Sequence, residues 1–113
     1  MKHAAAFFMA IALSVNAQEI DYRPPRLIYK TAPEYTPEAR QARLEGDVLL
    51  SADIGLMGKA ENIEVMRALG HGLDQKAIEC LRKWRFRPAQ GRDRTSFVVR
   101  RTVAVEFRLR DSK

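Results

Sequence analysis

The chain has 113 residues and a formal net charge of +6, and 46% of its residues are hydrophobic, 30% charged and 8% aromatic. This length and apolar content fit one globular domain, which excludes a disordered protein or a large multidomain enzyme. One Cys and two His are too few for an internal disulfide or a self-contained zinc site, so we expect no metal.

The N-terminus has the features of a secretory signal peptide. Met1-Lys2-His3 is a short basic start, an apolar run covers residues 4–15, and Val15-Asn16-Ala17 offers small residues before a cleavage point. We predict a signal peptide over residues 1–17. An uncleaved anchor is the alternative, but a spanning helix needs about 20 apolar residues. Because an exported protein does not meet the genome, we expect no nucleic-acid partner, and membrane association after cleavage is peripheral or absent.

The segment after the cleavage point is predicted to be extended and then to enter a short helix. Residues 18–33 contain several prolines, which disfavour helix, so we interpret them as an extended lead-in. Thr36-Pro37 is typical of a helix start, with a capping hydroxyl followed by Pro at the first helical position. Ala39, Ala42 and Arg43 then share one face, and Gly46 is the predicted stop.

A β-hairpin and a second helix are predicted next. Residues 47–54 alternate apolar and polar side chains, glycines bound a four-residue connection at 55–58, and residues 59–66 form the returning strand with Ile63 and Val65 on one face. After Gly70-His71-Gly72 an apolar stripe recurs at helical spacing, formed by Leu73, Ala77, Ile78, Leu81 and Trp84. Pro88 and Gly91 end that segment, and a polar loop follows.

The chain closes with a long alternating strand from Phe97 to Leu109. The odd-numbered positions are apolar except for Arg101, and the pattern does not decide whether Arg101 lies beyond the core or is paired. The predicted fold class is α+β, with a small antiparallel three-stranded sheet packed against two helices. We place this domain at residues 34–110.

Individual side chains have mostly structural interpretations. Trp84 completes the helical stripe and is predicted to be a packing residue rather than a binding platform. Cys80 is predicted to be a small core residue, with an intermolecular disulfide as the alternative. His71 is interpreted as a loop residue. Because no Ser or Cys has a His base and an acidic partner in a recognisable motif, we predict no catalytic residue, no cofactor and no enzyme activity.

The positive charge is concentrated in the C-terminal third. Residues 82–113 contain eleven Lys and Arg but three Asp and Glu. Such a patch can meet an acidic partner or an anionic surface. Arg82, Lys83, Arg85 and Arg87 are either a solvated edge or part of a partner-binding surface, and the sequence leaves both interpretations open.

Four motifs carry a resemblance to a known family. They are Ala32-Pro33-Glu34-Tyr35, Leu44-Glu45-Gly46-Asp47-Val48, Gly55-Leu56-Met57-Gly58-Lys59 and Arg82-Lys83-Trp84-Arg85-Phe86-Arg87-Pro88. With the order of elements, they make residues 25–109 similar to the C-terminal domain of the TonB family. The resemblance implies a periplasmic energy transducer in the cell envelope that transmits energy to outer-membrane receptors for transmembrane transport.

The resemblance also implies where a partner binds. Domains of this family are understood to receive a peptide segment of a TonB-dependent outer-membrane receptor as an added β-strand, and an exposed sheet edge suits that role. The alternative is a non-coupling structural relative that self-associates, for example as a homodimer, or binds the envelope through its basic third. The predicted partner-binding residues lie on the last strand and are Val98, Arg100, Arg101, Thr102, Val103, Ala104, Val105 and Arg108.

Overall fold

The computed structural model describes residues 22–111, and the predicted signal peptide lies outside them. The elements in chain order are β1 (Tyr22–Arg23), β2 (Arg26–Tyr29), α1 (Pro37–Gln41), β3 (Gly46–Ile54), β4 (Ala60–Arg67), α2 (Leu73–Lys83), β5 (Arg85–Arg87), β6 (Ala89–Gly91), β7 (Ser96–Phe97) and β8 (Val99–Phe107), followed by a 3₁₀ turn (Leu109–Asp111).

The main sheet has three antiparallel strands in the order β4-β3-β8. The central strand β3 pairs with β8 from Gly46 opposite Phe107 to Ile54 opposite Val99, without a register shift. This sheet, with two helices in the same unit, confirms the predicted α+β class. The two halves of the hairpin are where the period-two pattern predicts them. The last strand is shorter than the predicted range 97–109, because β8 covers Val99–Phe107, Phe97 belongs to the separate strand β7 and Leu109 lies in the 3₁₀ turn.

The hairpin turn depends on a glycine. Gly58 has a φ of +82° and donates its N–H to the carbonyl of Gly55 at 3.0 Å. The same residue touches the neighbouring short strand, because its carbonyl accepts the N–H of Phe86 at 2.8 Å. A Cβ at this position would lie 2.2 Å from the carbonyl oxygen of Phe86. Both the backbone conformation and the close approach therefore require glycine.

Helix α1 begins as predicted and ends earlier. The Thr36 hydroxyl caps it by accepting the N–H of Ala39 at 3.1 Å, and Pro37 is its first residue. The predicted stop at Gly46 is wrong, because the helix ends at Gln41 and Gly46 already begins β3. The chain turns away at Arg43, whose φ is +54°. Ala42 and Arg43 are exposed and Ala39 is buried, so the predicted shared face of these three residues is wrong.

Helix α2 buries the predicted stripe, and its first turn is held by a carboxylate. Leu73, Ala77 and Leu81 are fully buried. Asp74 accepts the backbone N–H of Leu69 at 2.8 Å and that of Gly70 at 3.1 Å, which ties the connection from β4 to the helix. Within residues 22–111, neither helix has the length and apolar content needed to cross a bilayer.

The core lies between α2 and the inner face of the main sheet. Its largest fully buried side chains come from β3, α2 and β8, and they are Phe107, Leu50, Ile54, Leu73, Leu81, Val48 and Val105. Tyr35, just before α1, packs edge-on against Phe107 with ring centroids 5.5 Å apart. Its hydroxyl donates to the carbonyl of Leu44 at 2.8 Å. One contiguous core therefore joins both helices to the sheet.

Trp84 and Cys80 are core residues, as predicted. Trp84 is 5% exposed and Cys80 is 4% exposed. The Trp84 Nε1–H and the Cys80 Sγ–H both donate to the carbonyl of Thr31, at 3.0 Å and 3.2 Å. These bonds fasten the end of the lead-in to α2.

The lead-in contributes strands that the sequence pattern did not reveal. β2 pairs antiparallel with β5, and β1 pairs with β6, which in turn pairs with β7. These strands have two to four residues each, too short for a period-two pattern to be recognised. Pro24-Pro25 separates β1 from β2. The chain after α2 therefore returns along the lead-in before it enters β8.

Candidate partner-binding edge

β8 is an edge strand of the main sheet. In the order β4-β3-β8 its one neighbour is β3, and no other strand of residues 22–111 pairs with it. The far side of an edge strand carries N–H and C=O groups without a ladder partner. β8 therefore presents one open edge along its nine residues.

The hydrogen bonds of the hairpin indicate which groups of β3 point to which neighbour. Gly55 donates its N–H to the carbonyl of Lys59 at 2.9 Å and accepts at its own carbonyl from Gly58, so both groups point to β4. In an antiparallel strand both groups of a residue point to the same neighbour, and successive residues alternate. Odd-numbered residues of β3 therefore bond to β4, and even-numbered residues bond to β8.

The register carries this alternation over to β8. Because Ile54 lies opposite Val99 and the pairing continues without a shift, the odd-numbered residues of β8 bond to β3. The N–H and C=O groups that face the open edge belong to the even-numbered residues, which are Arg100, Thr102, Ala104 and Glu106.

Two other features agree with this assignment. Leu109 is odd-numbered, and its N–H is directed to the β3 side, where it donates to the Glu45 carboxylate at 2.9 Å. The pairing of β3 with β4 shifts twice: three residues at 51–53 face four at 61–64, and two residues at 49–50 face three at 65–67. At both shifts the extra residue is in β4. Asn62 within the first stretch has a φ of +50°, as a bulge residue can. The alternation along β3 is therefore uninterrupted.

The Arg100 side chain crosses the sheet instead of reaching outward. Its Nη1 lies 2.9 Å from Asp53 Oδ1 on β3, and its Nη2 donates to the carbonyl of Asn62 on β4 at 2.9 Å. A second carboxylate, that of Glu64, lies 3.3 Å from Nη2. One guanidinium thus links all three strands.

These contacts shift two pKa values. Hydrogen bonds from the Asn62 amide and the Arg100 guanidinium lower the pKa of Asp53, since both stabilise the carboxylate. The hydrogen bond to Asp53 in turn raises the pKa of Arg100. Both shifts favour the ionised pair at neutral pH.

The other predicted arginines are also engaged within the chain. Arg108 Nη2 lies 3.1 Å from Glu106 Oε2 and 3.9 Å from Asp47 Oδ1. Arg101 is exposed, and its Nη2 donates to the Tyr22 hydroxyl at 3.3 Å. Arg101 therefore lies beyond the core, although the alternation of the last strand places it at an inward position.

The structure divides the eight predicted partner-binding residues into distinct settings. Arg100, Thr102 and Ala104 turn their backbone groups outward, whereas Arg101, Val103 and Val105 bond to β3. Val98 lies between β7 and β8, and Arg108 follows the end of β8. The role of these residues in partner binding stays a prediction, and their backbone rather than their charge is what the fold leaves available.

A groove runs beside the open edge. It has a volume of about 170 Å³ and is lined by Ala104 and Glu106 of β8, by Trp84 and by the lead-in residues 30–33. Lys30 Nζ lies 5.7 Å from the centroid of the Trp84 ring. The sequence pattern did not assign the lead-in or Glu106 to a site. The uninterrupted alternation of β8 was the one signal that could have included Glu106.

No group of three or more His, Cys, Asp or Glu side chains in residues 22–111 is placed to hold a metal ion. The described part of the site is made of backbone groups, the groove beside them and paired charges. Such a surface can bind an extended chain.

Comparison with known proteins decides the family. Residues 31–109 match the family model described as the Gram-negative bacterial TonB protein C-terminal. The chain belongs to the TonB C-terminal family. The match begins at Thr31, which anchors Trp84, and ends at Leu109, just after the edge strand.

Curated relatives agree with this membership. The chain is 30% identical over 90 residues to protein TonB of Klebsiella aerogenes, covering 79% of this chain and 35% of the relative. It is 29% identical over 86 residues to protein TonB of Klebsiella pneumoniae, covering 75% and 33%. The match to protein tonB2 of Pseudomonas aeruginosa is 34% over 68 residues, covering 59% and 25%. The chain thus spans about a third or less of the length of these TonB relatives.

A solved structure confirms the fold. The solution NMR structure of the TonB C-terminal domain of Pseudomonas aeruginosa superimposes with a TM-score of 0.57 at 20% identity, covering 75% of this chain and 86% of that one. The TonB C-terminal fold is therefore present here although four residues in five differ.

Proposed function

We propose that this protein is a TonB-type binding module of the periplasm that engages TonB-dependent outer-membrane receptors by β-strand addition. The observation that carries the proposal is the open edge of β8, with its outward backbone groups at alternate residues from Arg100 to Glu106. An extended receptor segment would pair with these groups and become the fourth strand of the main sheet.

The surroundings of the edge support the same role. The strand keeps its register with β3 over its whole length, so its outward groups are evenly presented. Arg100 holds β8 to β3 and β4 through polar contacts, which fixes the edge before a partner arrives. The groove beside Ala104 and Glu106 offers space for side chains of an added strand. A pre-formed edge lowers the ordering cost of binding.

The proposal includes the location of the protein and its role in transport. We propose that residues 1–17 direct export, that the processed chain works in the periplasm as part of energy-coupled transport, and that it acts by binding and not by catalysis. Membership of the TonB C-terminal family and the names of its relatives support this assignment.

Self-association is the second candidate, because the same edge can accept another copy of β8. The open edge of the nine-residue strand β8 is complementary to the same edge of a second copy in an antiparallel arrangement. Such a homodimer would occupy the groups needed for a receptor segment. The two candidates therefore predict competition between dimer formation and peptide binding.

The test is calorimetric titration of the protein with extended peptides from the N-terminal segments of outer-membrane receptors, together with sedimentation analysis of its oligomeric state. Saturable binding by a monomeric protein supports the receptor-binding proposal. A stable dimer without peptide affinity supports self-association and contradicts receptor binding. A monomer that binds none of the peptides contradicts both candidates.

A further inference from the structure

One end of the fold exposes a group of large apolar side chains. Of the nine that are exposed within residues 22–111, five lie on β2 or at the tip of the β3–β4 hairpin, and they are Leu27, Ile28, Tyr29, Leu56 and Met57. Strand β5 connects the two places, because Phe86 pairs with Leu27 and donates its N–H to Gly58. We call this surface the apolar end. Concentrated exposed apolar groups are typical of interaction sites.

Arginines without partners lie next to the apolar end. Arg26 on β2 is directly opposite Arg87 on β5, an arrangement that is destabilising for like charges. With Arg23 and Pro24-Pro25 they line a cleft of about 420 Å³ to which no carboxylate contributes. No hydrogen bond or ion pair from the described part of the chain reaches any of the three guanidinium groups. An anion in the cleft would relieve their repulsion.

The positive charge extends around this cleft. A second cleft of about 230 Å³ shares Arg23 and adds Arg92 and Arg94. The two chain segments that meet here, residues 22–33 and 82–92, contain eight Lys and Arg and no Asp or Glu. The surface therefore combines exposed apolar groups with an excess of positive charge.

We propose that the apolar end docks on an anionic phospholipid surface. Arg23, Arg26 and Arg87 bind the phosphates of lipid headgroups, since a guanidinium matches phosphate with two parallel hydrogen bonds. Ile28, Tyr29 and Met57 enter the interfacial layer, where apolar groups gain burial and tyrosine is favoured. Basic residues near an anionic bilayer add attraction.

A bilayer explains both components of the surface, and this favours it over a soluble anion. Ile28 is 58% exposed and Met57 is 83% exposed. An acidic peptide or inorganic phosphate would neutralise the arginines and leave these side chains in water. The proposal does not use the outward backbone of β8, so it stands or fails independently of strand addition.

The test is co-sedimentation of a chain lacking residues 1–17 with phosphatidylcholine vesicles, with and without phosphatidylglycerol. This chain retains the whole core, which begins at Tyr35. We expect binding that requires phosphatidylglycerol. Replacing Arg26 and Arg87 by Gln should weaken it on the order of 30-fold, from roughly fivefold per arginine.

A matched control removes the same charge elsewhere. Arg43→Gln with Arg67→Gln acts at the opposite end of the hairpin, because Arg43 precedes β3 and Arg67 ends β4, roughly 20 Å from the tip along its eight residues. That distance exceeds the Debye length, so this pair should change vesicle binding by no more than about threefold. Ile28→Ser with Met57→Ser keeps the charge and should weaken vesicle binding at least about fivefold. Thermal melts confirm that each variant is folded.

Several results would overturn the proposal. The first is an equal loss of vesicle binding from the two pairs of arginine substitutions. The second is equal binding to vesicles with and without phosphatidylglycerol. The third is vesicle binding that inorganic phosphate abolishes and that the Ile28 and Met57 substitutions leave unchanged. Binding of an oligoglutamate peptide without any vesicle binding would do the same. Receptor-peptide titration of the Arg26 and Arg87 variant should match the parent. A failure of strand addition is thus visible separately from a failure of membrane docking.

Discussion

Proline substitutions at two adjacent positions of β8 test the assigned direction of its backbone groups. Thr102 directs its N–H to the open edge, whereas Val103 lies opposite Leu50 and bonds to β3. Proline has no N–H to donate, and its ring occupies the space where a partner's carbonyl would approach. The same chemical change should therefore have opposite consequences at the two positions.

The magnitudes follow from burial. Val103→Pro removes a ladder bond beside the fully buried Leu50 and leaves a carbonyl without its donor, which costs about 1–3 kcal/mol. With the clash of the ring, the total is a large share of the roughly 5–15 kcal/mol that holds a small domain together. Thr102→Pro loses no internal bond, so its free energy of unfolding should fall by only about 1 kcal/mol, the scale of a backbone substitution at an edge.

Denaturant unfolding and calorimetric titration with a receptor-derived peptide measure the two effects. Thr102→Pro should stay folded and bind at least about tenfold more weakly, because it loses one bond and blocks the approach of the peptide. Thr102→Ala is the matched control, since it retains the N–H and should bind like the parent. If Thr102→Pro unfolds while Val103→Pro remains stable, the assigned alternation is reversed. Unchanged binding by a folded Thr102→Pro variant would rule out pairing of the peptide at this position.

Three further predictions concern the core, the hairpin and pH. Trp84→Ala should lower the free energy of unfolding by about 3–5 kcal/mol in denaturant titrations, because a buried ring and its bond to Thr31 are lost; an unchanged midpoint with lost peptide binding would make Trp84 a recognition residue. Gly58→Ala should lower the free energy of unfolding by more than about 2 kcal/mol, because its Cβ would meet the Phe86 carbonyl at 2.2 Å. Gly70 has a similar φ but a Cβ there would have nothing within 4 Å, so Gly70→Ala should cost only about 1 kcal/mol. Equal losses of stability would contradict the close approach at Gly58. The pKa of Asp53 is lowered by Asn62 and Arg100, so its contribution to stability is present above about pH 4 and is lost as the pH falls through the lowered pKa. Unfolding free energies measured from about pH 6 to pH 2 should therefore fall less for Asp53→Asn than for the parent, and parallel curves would exclude this linkage.

Local patterns in the sequence determined the five longest regular elements. Thr36-Pro37 marked the start of α1, because capping and proline geometry act within one turn of chain. The stripe from Leu73 to Leu81 identified α2, and alternation identified β3, β4 and β8. In each case the spacing of apolar residues reports which side of the element is buried.

The short strands depended on the tertiary structure. β2 and β5 have four and three residues, and they form because the chain after α2 returns beside the lead-in. Arg26 and Arg87 are 61 residues apart in the sequence and become direct neighbours only through this pairing. No local pattern predicts such a meeting, and it creates the arginine cleft.

The candidate site was likewise determined partly by the sequence and partly by the tertiary structure. Alternation in the sequence predicted that β8 is a strand with one buried face, and the family resemblance pointed to its edge. It did not determine which backbone groups face outward. The side-chain face of a residue fixes the side of the strand to which its N–H and C=O point, but only the topology decides on which side of β8 the neighbour β3 lies. That direction follows from the bonds of Gly55 in the hairpin and from the register across β3. Likewise, Arg100 reads as a free basic residue in the sequence, and only the assembled sheet brings its guanidinium to Asp53, 47 residues away.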